Sequence, residues 1–218
     1  MNKKKVSKKS YRETFREYLE KGVKLERWQK VGILLLVIVI AGFVGGMYEF
    51  LLMWAMEGQI YMKGGNLLPW MNIYAIGAVV VIPITYKIRK YPWAVFVMSA
   101  LVTGIVELIG GWLVYTIGNG TRYWDYSQDW WGVGNINGFV CPASVVAFGI
   151  GCLALVYLVV PFCIYLARRM SKRAFLTLAI TLFTVVMVDE VVNLTLKNLD
   201  LPNAMDFYQS LGLEYKQG

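Results

Sequence analysis

The sequence predicts an all-α, polytopic membrane protein with about five transmembrane helices and an N-terminal amphipathic helix. Three observations carry that expectation. Of 218 residues, 57% are apolar or aromatic and the mean hydropathy is +0.51, more than a soluble domain of this size needs for one core. The apolar residues gather at about 31–56, 69–86, 93–117, 139–166 and 174–196, stretches near the ~20 residues that a spanning helix requires. The basic residues, finally, fall on alternate connections between those stretches.

Residues 1–30 carry eleven Lys or Arg and four Glu, opening on Lys3, Lys4, Lys5, Lys8 and Lys9, a run read as disordered. Ser10 with Glu13 fits a capping box, and Tyr11, Phe15, Tyr18, Leu19, Val23 and Trp28 fall near one helical face. That face is expected to lie in the headgroup layer with Lys and Arg towards anionic lipid, although docking on a partner subunit needs the same pattern. The polar lead is too long for a cleaved signal peptide, so the first span is expected to stay as an anchor.

The connections Lys87, Arg89, Lys90 and Arg168, Arg169, Lys172, Arg173 are short and basic, whereas 57–68 and 118–138 are longer. Placing the N-terminus and both basic loops in the cytoplasm puts eighteen of the 22 Lys and Arg inside, leaving Lys63, Arg122, Lys197 and Lys216. The sequence thus divides into a cytoplasmic segment 1–30, a membrane domain 31–197 and an outer tail 198–218, in a bacterial plasma membrane. The net charge of +8 is explained by topology, which removes nucleic acid as a partner. Histidine is absent, so neither zinc nor an imidazole proton shuttle is expected. Cys141, Cys152 and Cys163 are spaced to form a stripe of packing residues about 16 Å apart, too far for a disulfide. Pro83 and Pro161 are expected to kink or end their helices.

Acids inside spans are costly, at ~2.5–3.5 kcal/mol each at mid-helix. Glu49, Glu107 and the Asp189–Glu190 pair all count to the outer third, Glu107 at about 21 Å and Asp189 at about 22 Å from the inner side. Acids from separate helices at one depth predict a polar cavity open to the outside, suited to a cation, an amine or a proton relay. Asn193 is expected to share the face of Glu190. The alternative is interfacial pairing with Lys63, Arg122 or Lys197 that holds helices together. The loop Gly118–Gly138 is rich in aromatics, which an interfacial belt explains; Asp125 and Ser127 among them suit a lid over the cavity.

Trp124, Asp125, Tyr126 and Ser127, then Asn137-Gly138 and Cys141 heading a helix that contains Ser144 and ends at Pro161, form a specific combination. Tyr48-Glu49, Gly64-Gly65 leading to Pro69, Ile73, Tyr74 and Gly77, and Thr103 with Glu107 accompany it. From Met47 to Pro161 the chain resembles the ABC-transporter type IV permeases, the CmpB-like group of small bacterial membrane proteins. It departs from them at Asn72 and Leu108; the N-terminal segment and the fifth span lie outside the resemblance.

The resemblance implies a permease component. Its candidate substrate-binding set is Glu49, Glu107, Trp124, Asp125, Tyr126, Ser127 and Asn137, with no catalytic residue, metal ligand or cofactor assigned. No phosphate loop is present, so ATP-driven transport requires a separate ATPase subunit, for which the short inner loops leave little docking surface. Five spans point to a homodimer for a complete pathway. Two other classes stay open: a membrane enzyme on a lipid-linked substrate with two carboxylates as acid and base, and a non-catalytic sensor or scaffold.

Overall fold

Backbone polar groups surrounded by hydrocarbon have to be satisfied within their own segment, and the apolar runs accordingly fold as helices. The computed structural model describes residues 9–58, 61–62, 65–120, 122–128 and 130–215. Lys3, Lys4, Lys5, Lys8, Lys63, Gly64 and Lys216 fall outside them. The described helices are α1 (Tyr11–Glu20), α2 (Arg27–Glu57), α3 (Asn72–Thr85), α4 (Pro92–Ile117), α5 (Pro142–Ala154), α6 (Val160–Arg169), α7 (Lys172–Asn198) and α8 (Ala204–Ser210). A π-turn, Leu155–Val159, joins α5 to α6.

Four helical segments are long and apolar enough to cross a membrane: Arg27–Ala55, Pro92–Ile117, Pro142–Arg169 and Lys172–Asn198. The expected second span is shorter, a 14-residue apolar helix of about 21 Å. It starts late because Pro69–Met71 stays non-helical and lies against α2, where the Met71 amide donates to the Gly42 carbonyl at 3.1 Å. Pro83 sits inside α3 without ending it. Pro161 follows the π-turn, whose wider ring spares the clash of a proline with the carbonyl four residues earlier. All three cysteines are buried and free, as packing residues, although the π-turn breaks the regular helical spacing between Cys152 and Cys163.

α2 is the central helix: α3, α6 and α7 pack on it, while α4 and α5 pair with each other. The connections sort into two ends. At the basic end, Gln29 at the start of α2 donates to the Ala167 carbonyl at the end of α6 (3.0 Å), and Tyr157 to the Arg89 carbonyl (2.8 Å). The ends of α2, α4 and α7 and the starts of α3 and α5 meet at the other.

At the basic end the capping box of Ser10 and Glu13 forms as expected. The apolar face of α1 packs in part on the chain's own helices, chiefly α6. Tyr18, 1% exposed, joins a core with Leu36, Val37, Cys163 and Phe175. Arg89 explains why: its Nε donates to the Tyr18 carbonyl at 2.5 Å and its guanidinium lies over the Tyr86 ring at 4.1 Å. Arg168 adds a two-pronged bond to Glu17 at 2.8 and 3.0 Å, and Lys9 reaches the same carboxylate at 2.6 Å.

At the opposite end the tail folds back. Ala204 donates to the Asn193 Oδ1 at 2.9 Å, Tyr208 donates to the Leu67 carbonyl, and Tyr61–Met62 pairs in parallel with Glu214–Tyr215.

Close approach of α3 to α2 depends on glycine. A Cβ built on Gly45 would lie 2.0 Å from the Tyr74 ring, and one on Gly42 2.1 Å from Trp70 Nε1. Gly45→Leu is therefore expected to cost about 1–3 kcal/mol in thermal denaturation, whereas Gly151→Ala, with nothing within 4 Å of its added Cβ, leaves the midpoint unchanged.

Hydrogen bonds from Arg168, then from Lys9, hold the Glu17 carboxyl down to about 2 from its ordinary 4.5. A depressed folded-state value stabilises docking of α1 fully above the unfolded value, and that contribution is lost as pH falls through about 2. Hydrogen exchange of α1, corrected for its intrinsic pH dependence, is expected to rise across that acid range. In Glu17→Gln it should be raised already at neutral pH; unchanged protection there would leave Tyr18 and Arg89 as the sole anchors.

Candidate functional site

Among the described residues Glu107 is the most buried acid, 3% exposed on α4 towards the end opposite the basic connections. A buried carboxylate needs donors, and it has two: the Tyr126 hydroxyl at 2.5 Å and the Ser144 hydroxyl at 2.7 Å. Ser144 reaches it because α5 starts there. Cys141 and Ser144 form the cap, with the Ser144 amide on Cys141 Sγ at 3.3 Å and the Cys141 amide on Ser144 Oγ at 3.2 Å. Ser144 has one proton, so while it donates to Glu107 its oxygen is left to accept from Cys141. Among the described residues no Lys or Arg forms an ion pair with Glu107.

Glu49 reaches the same end from α2 and accepts from the Tyr74 hydroxyl at 2.7 Å. Tyr74 in turn packs on Phe148 of α5, ring centroids 5.3 Å apart, and edge-on to Tyr48 at 6.5 Å. Burial pushes the Tyr126 phenol above the ordinary tyrosine range, and the charges of Glu107 and then Glu49 push it the same way. Tyr126 therefore keeps its proton, remains a donor, and lies in the field of both carboxylates.

The loop that delivers Tyr126 is held by its own bonds. Asp125 Oδ1 accepts from the Ser127 hydroxyl at 2.6 Å and amide at 3.0 Å and lies 3.5 Å from Arg122. Burial alone would raise the Asp125 carboxyl; the Ser127 bonds and Arg122 outweigh it and hold it below its usual value. Arg122 donates to the Asn137 carbonyl at 2.6 Å and lies over the Phe139 ring at 4.7 Å, while Trp124 donates to the Phe139 carbonyl at 2.7 Å.

Asn137-Gly138 is the turn that closes this structure. Gly138 has φ +73°, and a Cβ there would lie 2.1 Å from Asp125 Oδ1. Of the loop residues expected to face a cavity, Tyr126 is thus the one placed on a span acid, whereas Trp124, Asp125, Ser127 and Asn137 bond within the loop. Tyr123 at 58% and Trp130 at 81% exposure stand outward, as belt residues do.

The family model described as "Putative ABC-transporter type IV" matches residues 36–194. The chain belongs to this family. The match takes in α7, which the resemblance over Met47–Pro161 had left outside, and every residue of the Glu49–Glu107 cluster lies within it. No curated protein and no solved structure matches the chain. Family and apolar helices together make this a multi-pass membrane protein of transport.

In this type IV chain the Asp189–Glu190 pair serves a different purpose from Glu107. Asp189 Oδ1 accepts the Leu67 amide at 3.1 Å and Oδ2 the Leu68 amide at 2.8 Å, satisfying two backbone donors of the segment before α3. Asn193 bonds Asp189 at 2.8 Å, one turn earlier, and not Glu190; its oxygen is the acceptor for Ala204. Glu190 Oε2 accepts from Asn66 at 2.6 Å. Arg122 takes its acid from the loop, at Asp125, and not from a span.

Tyr74 and Ser144 belong to the family resemblance but not to the site residues that the sequence suggests. The signal for Ser144 is its place three residues after Cys141 at a Pro-marked helix start; nothing local marks Tyr74 as a partner of Glu49. Tyr126→Phe is expected to strip one donor from buried Glu107 and cost about 1–3 kcal/mol in thermal unfolding in detergent. Gly138→Ala should destabilise at least as much, and a wild-type midpoint in both would mean that the loop does not seat on Glu107.

Proposed function

We propose that this chain is a permease component whose outer acidic site recognises a cationic or hydrogen-bonding solute. The supporting observation is Glu107, a carboxylate 3% exposed whose bonds come from two hydroxyls. Neutral donors do not cancel its charge, so at this depth it carries either a proton or a cation. Glu49 supplies a second carboxylate in the same field.

The loop acts as a lid in this reading. Tyr126 occupies Glu107 with a hydroxyl proton where a solute would present an ammonium or another N–H. Because Asp125, Ser127 and Asn137 are bonded within the loop, it can leave as a unit at the cost mainly of Tyr126–Glu107, the Trp124 bond to the Phe139 carbonyl and the Arg122 guanidinium over the Tyr115 ring of α4, 5.0 Å from its centroid. Positive-inside placement puts α1 and the basic connections in the cytoplasm of a bacterial cell and the site and the C-terminus outside. An ATPase subunit, if it drives the cycle, meets a basic end covered by α1, and a homodimer completes the pathway.

The test is a thermal-shift screen of the purified protein against alkali cations, polyamines and amino acids, with Glu107→Gln and Glu49→Gln alongside. A ligand at about 100 times its Kd adds ~2.7 kcal/mol. Stabilisation of the wild type and its loss in Glu107→Gln are expected, as is loss of uptake of that ligand in liposomes. A hit that stabilises both variants as well as wild type removes the carboxylates from recognition.

A further inference from the structure

We infer a second site on the membrane-facing side, a groove that holds a zwitterionic phospholipid by its ammonium headgroup on Glu190. α3 and α7 both pack on α2 and leave between them a trough of about 380 Å³ with Ile38 of α2, Ala75, Val79 and Val80 of α3, and Phe183 and Met187 of α7 in its walls. Trp70, Asn72 and Glu190 line it as well. The walls are almost wholly apolar, and the one ionisable group lining the trough is the Glu190 carboxylate.

Depth fits an interfacial headgroup. Glu190 lies 16 residues beyond Ala174, where the apolar stretch of α7 starts, about 24 Å from the inner side at ~1.5 Å per residue, in the outer third of a ~30 Å hydrocarbon core. A chain laid in the trough below it is therefore surrounded by Ile38, Val79, Phe183 and Met187, as an acyl chain requires.

Charge selects the headgroup. Glu190 Oε2 accepts from Asn66 at 2.6 Å, but among the described residues Oε1 has only the Asn72 amide at 3.4 Å, a long and weak bond. Among the described residues neither Lys nor Arg forms an ion pair with it. A carboxylate at the mouth of an apolar trough, with one oxygen poorly supplied, is completed by a donor that is also a cation. A primary ammonium provides both and can make a charge-assisted bond. A quaternary ammonium has the charge without the N–H, and a glycerol headgroup has neither ammonium nor positive charge. This site is distinct from Glu49 and Glu107 and does not depend on what they bind.

The test is native mass spectrometry of the delipidated full chain titrated with phosphatidylethanolamine, phosphatidylcholine or phosphatidylglycerol. Wild type is expected to retain phosphatidylethanolamine about tenfold better than phosphatidylglycerol, with phosphatidylcholine between. Glu190→Gln should erase that preference. Val79→Trp, which fills the trough without touching Glu190, should lose retention of all three, guarding against the case that Glu190→Gln merely loosens Asn66. Equal retention of the three lipids by wild type, or an unchanged preference in Glu190→Gln, would overturn the proposal. So would a dimer that Val79→Trp dissociates, because a second copy would then cover the trough.

Discussion

A carboxylate in a low-dielectric interior has to be met by donors, by a proton or by a cation, and that demand arranges the end of this molecule opposite its basic connections. Asp189 is met by two backbone amides, which fixes the segment before α3 against α7. Glu107 is met by two hydroxyls, one from a loop and one from a helix start, which pulls the loop and α5 onto α4. Glu49 accepts from Tyr74, which ties α3 to α2. The same residue type therefore serves two ends. Where the donors are backbone amides the acid is a structural fastener, and where they are hydroxyls that can turn away it can exchange its partner.

Small residues make those meetings possible. α3 is short and cannot bring Tyr74 to Glu49 by length; it does so by laying the Tyr74 ring on Gly45 of α2, while Trp70 just before α3 lies on Gly42. Small residues at the contact are a common solution between helices in lipid, where no hydrophobic gain favours association. The arrangement leaves a trough between α3 and α7, with Ile38 of α2 in its wall and Glu190 among its lining residues.

The basic end follows a different physics. Arg89 and Arg168 count by position as topogenic charges, yet each also makes specific contacts. Arg89 stacks on Tyr86 and caps α1 through the Tyr18 carbonyl, and Arg168 grips Glu17. Guanidinium suits both roles, being planar, permanently charged and rich in donors. The amphipathic face of α1 consequently finds protein, where hydrophobic periodicity alone could name only something apolar.

Sequence by itself determined the helical class, the apolar stretches, the capping box at Ser10, and the separation of basic from acidic connections, because each depends on local composition and period. It also placed Glu49, Glu107, Asp189 and Glu190 towards corresponding ends of their helices, since rise per residue is fixed. Only the tertiary structure decided which acid meets which donor. The pairs Tyr126–Glu107, Ser144–Glu107, Tyr74–Glu49 and Asp189–Leu67 join residues far apart in the chain, and their geometry depends on glycine contacts and a π-turn that no local pattern encodes. The loop shows the division most clearly: its motif Trp124–Ser127 is conspicuous in sequence, but three of those four side chains turn out to hold the loop, and the fourth reaches the buried acid.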